Sequence, residues 1–125
     1  LMSLSYSGIG GKRSSGLGSF NLNFASLPDN LLHRFESVSS KYMTLSTALP
    51  NDSEIEKSTP ESEYILVKRS GFLSPNGQSP IRIKDLYMFG AGSCFGVKFD
   101  GCIKNVSTDQ SRNIYRCAKP MWIGV

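Results

Sequence analysis

The sequence predicts an antiparallel α+β domain, and three observations carry that prediction. Stretches in which apolar and polar residues alternate recur from Phe20 to the end of the chain, the period of a half-buried strand. Clusters of Gly, Pro, Asn and Ser punctuate them as turns. Helical spacing is legible in only one or two short segments, so the pattern is strands with few helices. The 125 residues suffice for one domain with a modest core, and 39% hydrophobic and 10% aromatic content fits a globular chain.

In order, residues 19–28 ("SFNLNFASLP") place Phe20, Leu22 and Phe24 against Asn21, Asn23 and Ala25, which predicts a strand. Pro28-Asp29-Asn30 opens a short helix whose Leu31, Leu32, Phe35 and Val38 fall at helical spacing. Residues 41–50 alternate again and predict a strand. Residues 52–57 suit one or two helical turns on the surface. Residues 63–73 ("EYILVKRSGFL") give the clearest strand, and Asn76-Gly77 is the expected hairpin tip. "IRIKDLYMF" returns with strict alternation, "GAGSCFG" interrupts, "VKFDGCIKNV" predicts a further strand, and the chain is strand-like again from Ile114. The total expected is five or six strands and one or two helices. Phe99, Tyr115 and Trp122 are expected in the core.

The formal charge is +4, but its distribution is more telling. Residues 51–63 form an acidic surface loop, with Asp52, Glu54, Glu56, Glu61 and Glu63 against Lys57 alone. That local charge of −4 leaves +8 on the remainder of the chain. A basic body suits a polyanion on one face. Cys94, Cys102 and Cys117 are odd in number and lack CxxC spacing, which predicts reduced, buried or half-buried thiols of a cytosolic protein rather than disulfides or zinc ligands. No hydrophobic run approaches the length of a membrane span, and no signal peptide is visible.

One segment asks for chemistry. "SGIGGKRSSGLGSF", residues 7–20, holds Gly8, Gly10, Gly11, Gly16 and Gly18, with Lys12, Arg13, Ser14 and Ser15 between them and no acidic residue. Glycines let an anion approach the main chain closely, Lys and Arg add charge and forked donors, and serines add neutral donors. That set suits a phosphate–sugar backbone; a flexible, solubilising loop explains the same composition. The segment is neither a Walker loop nor a dinucleotide fingerprint. Lys68, Arg69, Arg82 and Lys84 sit on two strands of the expected hairpin and read equally as phosphate or partner contacts and as the wet side of a sheet. Gly90-Ala91-Gly92-Ser93 reads as a bulge or as a second close-approach surface, the bulge being the simpler. His33, the one histidine, has no base, nucleophile or paired carboxylate to work with in the sequence. The acidic residues read as a solvated run, so no metal site is expected.

The order of these pieces resembles the RAMP superfamily, the repeat-associated proteins of CRISPR systems. The closest resemblance is to the fourth Csm subunit of type III-A complexes, which caps the 5′ end of the crRNA. "GIGGKRSSGLGSF" is similar to that family's glycine-rich loop, "EYILVKRSGFLSP" to its strand entering a hairpin, "IRIKDLYMFGAGSCF" to its strand running into a Gly-Ser bend, and "IYRCAKPMWIGV" to its closing strand. The resemblance runs from Gly8 to Val125. It implies a ferredoxin-like (RRM-like) antiparallel sheet with short helices, residues 1–125 being the C-terminal RAMP domain or a fragment of it, with the N-terminal RAMP domain absent. It also implies a non-catalytic crRNA-binding role. Gly8, Gly10, Gly11, Lys12, Arg13, Ser14, Ser15, Gly16 and Gly18 would contact the 5′ tag. The partners would be the large polymerase/nuclease subunit and the backbone RAMP subunit, in the cytoplasm, with no cofactor and no membrane. The rival reading is a RAMP endoribonuclease that matures crRNA through His33, although the cleaving relatives usually carry their histidine in the N-terminal domain.

Overall fold

Apolar alternations broken by glycine and proline give short strands, and every strand pairing in the computed structural model, which describes residues 1–36, 38–74, 79–108 and 112–125, is antiparallel. The class is α+β, as the sequence predicts. Strand β1 (Tyr42–Thr44) lies between β6 (Cys94–Phe95) and β9 (Trp122–Gly124) in a three-stranded sheet. Three two-stranded ribbons complete the pairing: β2 (Leu66–Arg69) with β5 (Leu86–Phe89), β3 (Phe72–Leu73) with β4 (Ile81–Arg82), and β7 (Cys102–Asn105) with β8 (Tyr115–Ala118).

The helices are α1 (Met2–Ser7), α2 (Asp29–Glu36) and α3 (Asp52–Ser58), with a 3₁₀ turn at Arg13–Ser15. α2 and α3 begin where the sequence predicts; α1 and the 3₁₀ turn are additional. The Pro28 carbonyl accepts from the N–H groups of Leu31 (2.9 Å) and Leu32 (3.0 Å), which starts α2. Its Arg34 Nε then donates to the Gly124 carbonyl (3.0 Å) and holds the helix on β9.

The described strands number nine rather than five or six, because identifiable hydrogen bonds interrupt the longer alternations. β1 ends at Thr44, whose hydroxyl donates to the Ser46 carbonyl (2.9 Å) and accepts from the Ser46 N–H (3.3 Å), turning the chain. Residues 63–73 divide at Ser70-Gly71, and the Gly71 carbonyl accepts from Ile83 (3.0 Å). The return strand divides at residues 83–85, where the Lys84 N–H leaves for the Val106 carbonyl (2.8 Å). Residues 97–100 form no strand: Phe99 turns into the core and the Asp100 N–H is taken by Glu54 (2.8 Å). Pro120 separates β8 from β9. Residues 19–28 also form no strand. Among the described residues the only backbone N–H of 19–27 with a backbone acceptor is that of Phe20, to Ser5 (3.2 Å), so the alternation has no ladder to join. The Asn76-Gly77 tip lies outside the described residues.

Two clusters fill the interior. Ala48, Phe89, Phe95 and Phe99 are buried, with Trp122 packed against them. Phe95 and Phe99 meet Trp122 edge-on with ring centroids 5.6 and 4.9 Å away, and the Trp122 Nε1–H donates to the Phe99 carbonyl (3.1 Å). Met88, Cys102 and Ala118 form the second, with Leu49, Val67 and Leu86 against it. Tyr115 corrects an expectation: it pairs with Asn105 on the outward face of β7–β8 and is 63% exposed. Cys117 shares that face and is exposed, not half-buried, while burial pushes the Cys102 thiol above its ordinary pKa. All three cysteines are free thiols.

Glu54 is the polar anchor of this core's edge. Its carboxylate accepts from the Asn51 N–H (2.8 Å) and Asn51 Nδ2 (3.1 Å), the return half of a capping box, and from the Asp100 N–H. Desolvation raises its pKa, but the backbone donors of Asn51, Asp100 and Gly101, with the Asn51 side chain, outweigh it and hold the carboxyl below its ordinary value. A depressed folded pKa stabilises the fold above the unfolded pKa, and that stabilisation is lost as pH falls through the folded value. Urea denaturation against pH should therefore find Glu54→Gln less stable than the parent at pH 7, with the difference shrinking below about pH 4. Phe95, fully buried, should cost about 3–5 kcal/mol as Phe95→Ala in the same assay.

Candidate nucleic-acid interface

The glycine-rich segment is a closed loop on a local neck. α1 ends at Gly8, whose N–H donates to the Leu4 carbonyl (2.8 Å) at a φ of 77°. The chain runs out through Gly10 and Gly11, turns through Arg13–Ser15, and returns at Gly18. There the Ile9 N–H donates to the Gly18 carbonyl (2.9 Å). A Cβ on Gly8 would sit 2.9 Å from the Gly18 carbonyl carbon, and one on Gly18, at φ 89°, would overlap the Ile9 carbonyl oxygen. Only two glycines let the strands of the neck touch.

The tip is different. Added Cβ atoms on Gly10, Gly11 and Gly16 meet open space. Gly10 and Gly16 have positive φ, whereas Gly11 does not, so local structure makes no demand for glycine at position 11. Lys12, Arg13, Ser14 and Ser15 are all exposed, and neither cation is in an ion pair among the described residues. Among those residues no backbone acceptor engages the N–H of Gly10, Gly11 or Lys12. Three successive main-chain donors beside two unpaired cations, with no carboxylate in the loop, form an anion-receptive surface. The structure thus brings all nine expected loop residues into one closed unit.

The other four cations lie elsewhere. Lys68 is on β2 and Arg82 on β4, and both reach Asp85: Lys68 Nζ to Oδ2 at 2.8 Å and Arg82 to Oδ2 at 3.3 Å. The Lys68 hydrogen bond holds the Asp85 carboxyl below its ordinary pKa, and Asp85 in turn raises that of Lys68. Arg69 and Lys84 are exposed beside them. The sequence placed all four on one hairpin; instead β2 pairs with β5, and Arg82 belongs to the separate β3–β4 ribbon.

Gly90 to Ser93 is a structural turn. The Gly92 N–H donates to Thr44 (2.7 Å), Thr44 to Ser93 (2.9 Å), and the Ser93 hydroxyl to the Gly90 carbonyl (2.7 Å), which fastens β5 and β6 to β1. His33 is exposed on α2. Among the described residues no group of His, Cys, Asp or Glu has a metal-holding geometry, and no helix is long and apolar enough to cross a membrane.

One feature escaped sequence reasoning. Between α1 and residues 20–23 lies a groove of about 420 Å³ that includes Tyr6, Asn21 and Asn23. Its only sequence signal is the same alternation that predicted a strand there.

Fold and loop together define a small α+β domain with antiparallel ribbons and a basic, glycine-necked loop before its core. Residues 37–125 match the family model for the CRISPR Csm4 C-terminal domain, and the chain belongs to that family. It is similar to the CRISPR system Cms protein Csm4 of Mycobacterium tuberculosis (strain ATCC 25618 / H37Rv), 39% identical over 121 residues that cover 95% of this chain and 39% of the relative. It is also similar to the Csm4 of Streptococcus thermophilus, 40% identical over 125 residues, 98% of this chain and 42% of the relative. The chain therefore spans about two fifths of the length of these curated relatives. The loop precedes the part matched by the family model, yet alignments of this coverage include residues 8–18.

The two kinds of glycine can be separated by experiment. Gly18→Ala should open the neck and lower the stability of the loop, seen as faster amide exchange at Ile9. Gly11→Ala should leave exchange unchanged or slower, since a compatible Ala stabilises by roughly 0.4–1 kcal/mol.

Proposed function

We propose that this chain is a non-catalytic RNA-binding and scaffolding part of a type III-A Csm interference complex. In this reading the loop holds the 5′ repeat-derived tag of the crRNA, and the domain bridges the large polymerase/nuclease subunit to the backbone RAMP subunit. The observation that carries the reading is the loop tip: Lys12 and Arg13 exposed and, among the described residues, without an acidic partner, beside N–H groups of Gly10, Gly11 and Lys12 that no backbone acceptor there engages. Phosphates of a single strand meet the cations, ribose hydroxyls meet Ser14 and Ser15, and the absent Cβ at Gly11 admits the RNA backbone. Family membership and the names of the relatives support assignment to a Csm complex.

A scaffolding role is supported by the apolar side chains left in solvent. Phe72 (69%), Tyr87 (58%), Ile103 (57%) and Tyr115 (63%) are exposed on the ribbons, apolar side chains available to a neighbouring subunit. No observation favours the endoribonuclease reading, since His33 stands exposed on α2 with no ion pair among the described residues.

In the reconstituted complex, Lys12→Ala/Arg13→Ala should weaken crRNA binding and reduce the slope of log affinity against log salt by about one to two. Unchanged affinity and slope would sink the assignment. His33→Ala should leave both crRNA binding and repeat-RNA processing unaltered.

A further inference from the structure

The loop tip is receptive to an anion, and it carries a hydroxyl on which one can be built. Lys12 and Arg13 stand three and two residues before Ser15. The chain has two Lys-Arg pairs, Lys12-Arg13 and Lys68-Arg69, and only the first has a hydroxyl two places on; Gly71 holds that place after the second. Two cations shortly ahead of a hydroxyl suit a protein kinase whose substrate cleft is lined by carboxylates, because each cation finds a partner there. The two pairs also differ in freedom. Lys68 is held by Asp85 (2.8 Å), and the backbone on either side of Ser70 is fixed by Arg69 opposite Leu86 and by the Gly71 carbonyl, which accepts from Ile83 (3.0 Å). Lys12, Arg13 and Ser15 are exposed, and among the described residues no ion pair or side-chain hydrogen bond engages them. Two backbone bonds hold their turn, Ser15 N–H to Lys12 (3.1 Å) and Gly16 N–H to Arg13 (3.0 Å), so the tip can open into a kinase cleft while the neck stays closed.

We propose that Ser15 is a phosphorylation site whose phosphate closes the loop to RNA. The Ser15 hydroxyl oxygen attacks the γ-phosphorus of ATP in line. An O–P bond forms, the bond from that phosphorus to the β–γ bridging oxygen breaks, ADP leaves with the electron pair, and the hydroxyl proton passes to the kinase's catalytic aspartate. The new group carries about −1.5 to −2 at pH 7 against the two positive charges of Lys12 and Arg13, so the tip falls to about zero. Residues three apart in a 3₁₀ turn lie on one side of it, which places Ser15 over Lys12; Ser14 lies about a third of a turn away. The phosphate is therefore tethered beside Lys12, close to the N–H groups of Gly10, Gly11 and Lys12 that no backbone acceptor engages among the described residues. A tethered group acts at an effective concentration on the order of millimolar, so an RNA phosphate must displace it to bind. This switch rests on the reading that the loop holds the guide RNA, and adds to it a means of control.

The test has a mapping arm and a binding arm. The chain isolated from its own cells under phosphatase inhibition should yield a phosphopeptide whose phosphate maps to Ser15. The full chain incubated with ATP and the catalytic subunit of cyclic-AMP-dependent protein kinase, a probe that reads paired cations, should be labelled at the same residue; Ser15→Ala should abolish the label and Ser14→Ala should keep it. In the reconstituted complex, Ser15 encoded as phosphoserine should weaken guide-RNA binding about ten-fold or more and lower the slope of log affinity against log salt by about one to two, and phosphatase treatment should restore both. If the phosphate in cells maps to Ser14 or to neither serine, the assignment to Ser15 is overturned. If Lys12→Ala/Arg13→Ala weakens RNA binding while phosphoserine leaves affinity and slope unchanged, the switch is overturned and the tag-holding reading stands. If neither change affects RNA, both readings fall together.

Discussion

The structure depends on four aromatic rings. Phe89 comes from β5, Phe95 from β6, Phe99 from the connection after it, and Trp122 from β9, and they pack mostly tilted or edge-on around Ala48, which has no exposed surface. Strands of two to four residues are too short to be stable as separate ribbons, so something must fix them relative to one another. The rings do this from four places in the chain. The connection after β1 meets the β2–β5 ribbon at the bridge from Ala48 to Phe89, with reciprocal bonds of 3.0 and 2.8 Å. A larger residue than alanine at that crossing would separate the bridge from the rings it serves.

A core centred there leaves the first 27 residues outside it. The buried apolar side chains run from Tyr42 to Ile123, whereas Leu1, Met2, Leu4, Tyr6, Ile9 and Phe24 are all exposed. The glycine-rich loop cannot borrow rigidity from the core, and the neck supplies it locally. Two glycines in contact and one Ile9–Gly18 hydrogen bond close a short loop, whose closure entropy is modest. The tip is thereby presented without being packed, which suits the proposed contact with a long flexible polyanion.

Class, the starts of α2 and α3, and the acid-free character of the loop were legible because each follows from local composition. Boundaries were not, because single side chains far apart in sequence set them: Glu54 takes the N–H of Asp100, and Thr44 turns its own strand. Parity defeated the expectation for Tyr115. Opposite Asn105 it shares a face with Ile103 and Cys117, while its neighbours in register, Cys102 and Ala118, are buried. Alternation at Phe20, Leu22 and Phe24 is present, but alternation makes a strand only where a neighbour offers a ladder. In the loop, the sequence marked five glycines alike; the φ angles and contacts divide them into two that close the neck and three at the open tip.

The two basic regions also differ in a way composition cannot express. Lys68 and Arg82 already share the Asp85 carboxylate at 2.8 and 3.3 Å, so an incoming phosphate must compete with a bound anion for both. Lys12 and Arg13 have no such competitor among the described residues. Exposed pairs gain little from each other in water, yet they fix two long side chains in one geometry and halve the charge a ligand sees. In the proposed role the loop cations have no carboxylate to give up among the described residues, and release of counterions from an RNA rewards the charges that are not already neutralised. For this reason the Asp85 cluster reads first as a brace between the β2–β5 and β3–β4 ribbons, with Arg69 and Lys84 as its solvent-facing excess, and the loop as the place where a nucleic acid has the most to gain.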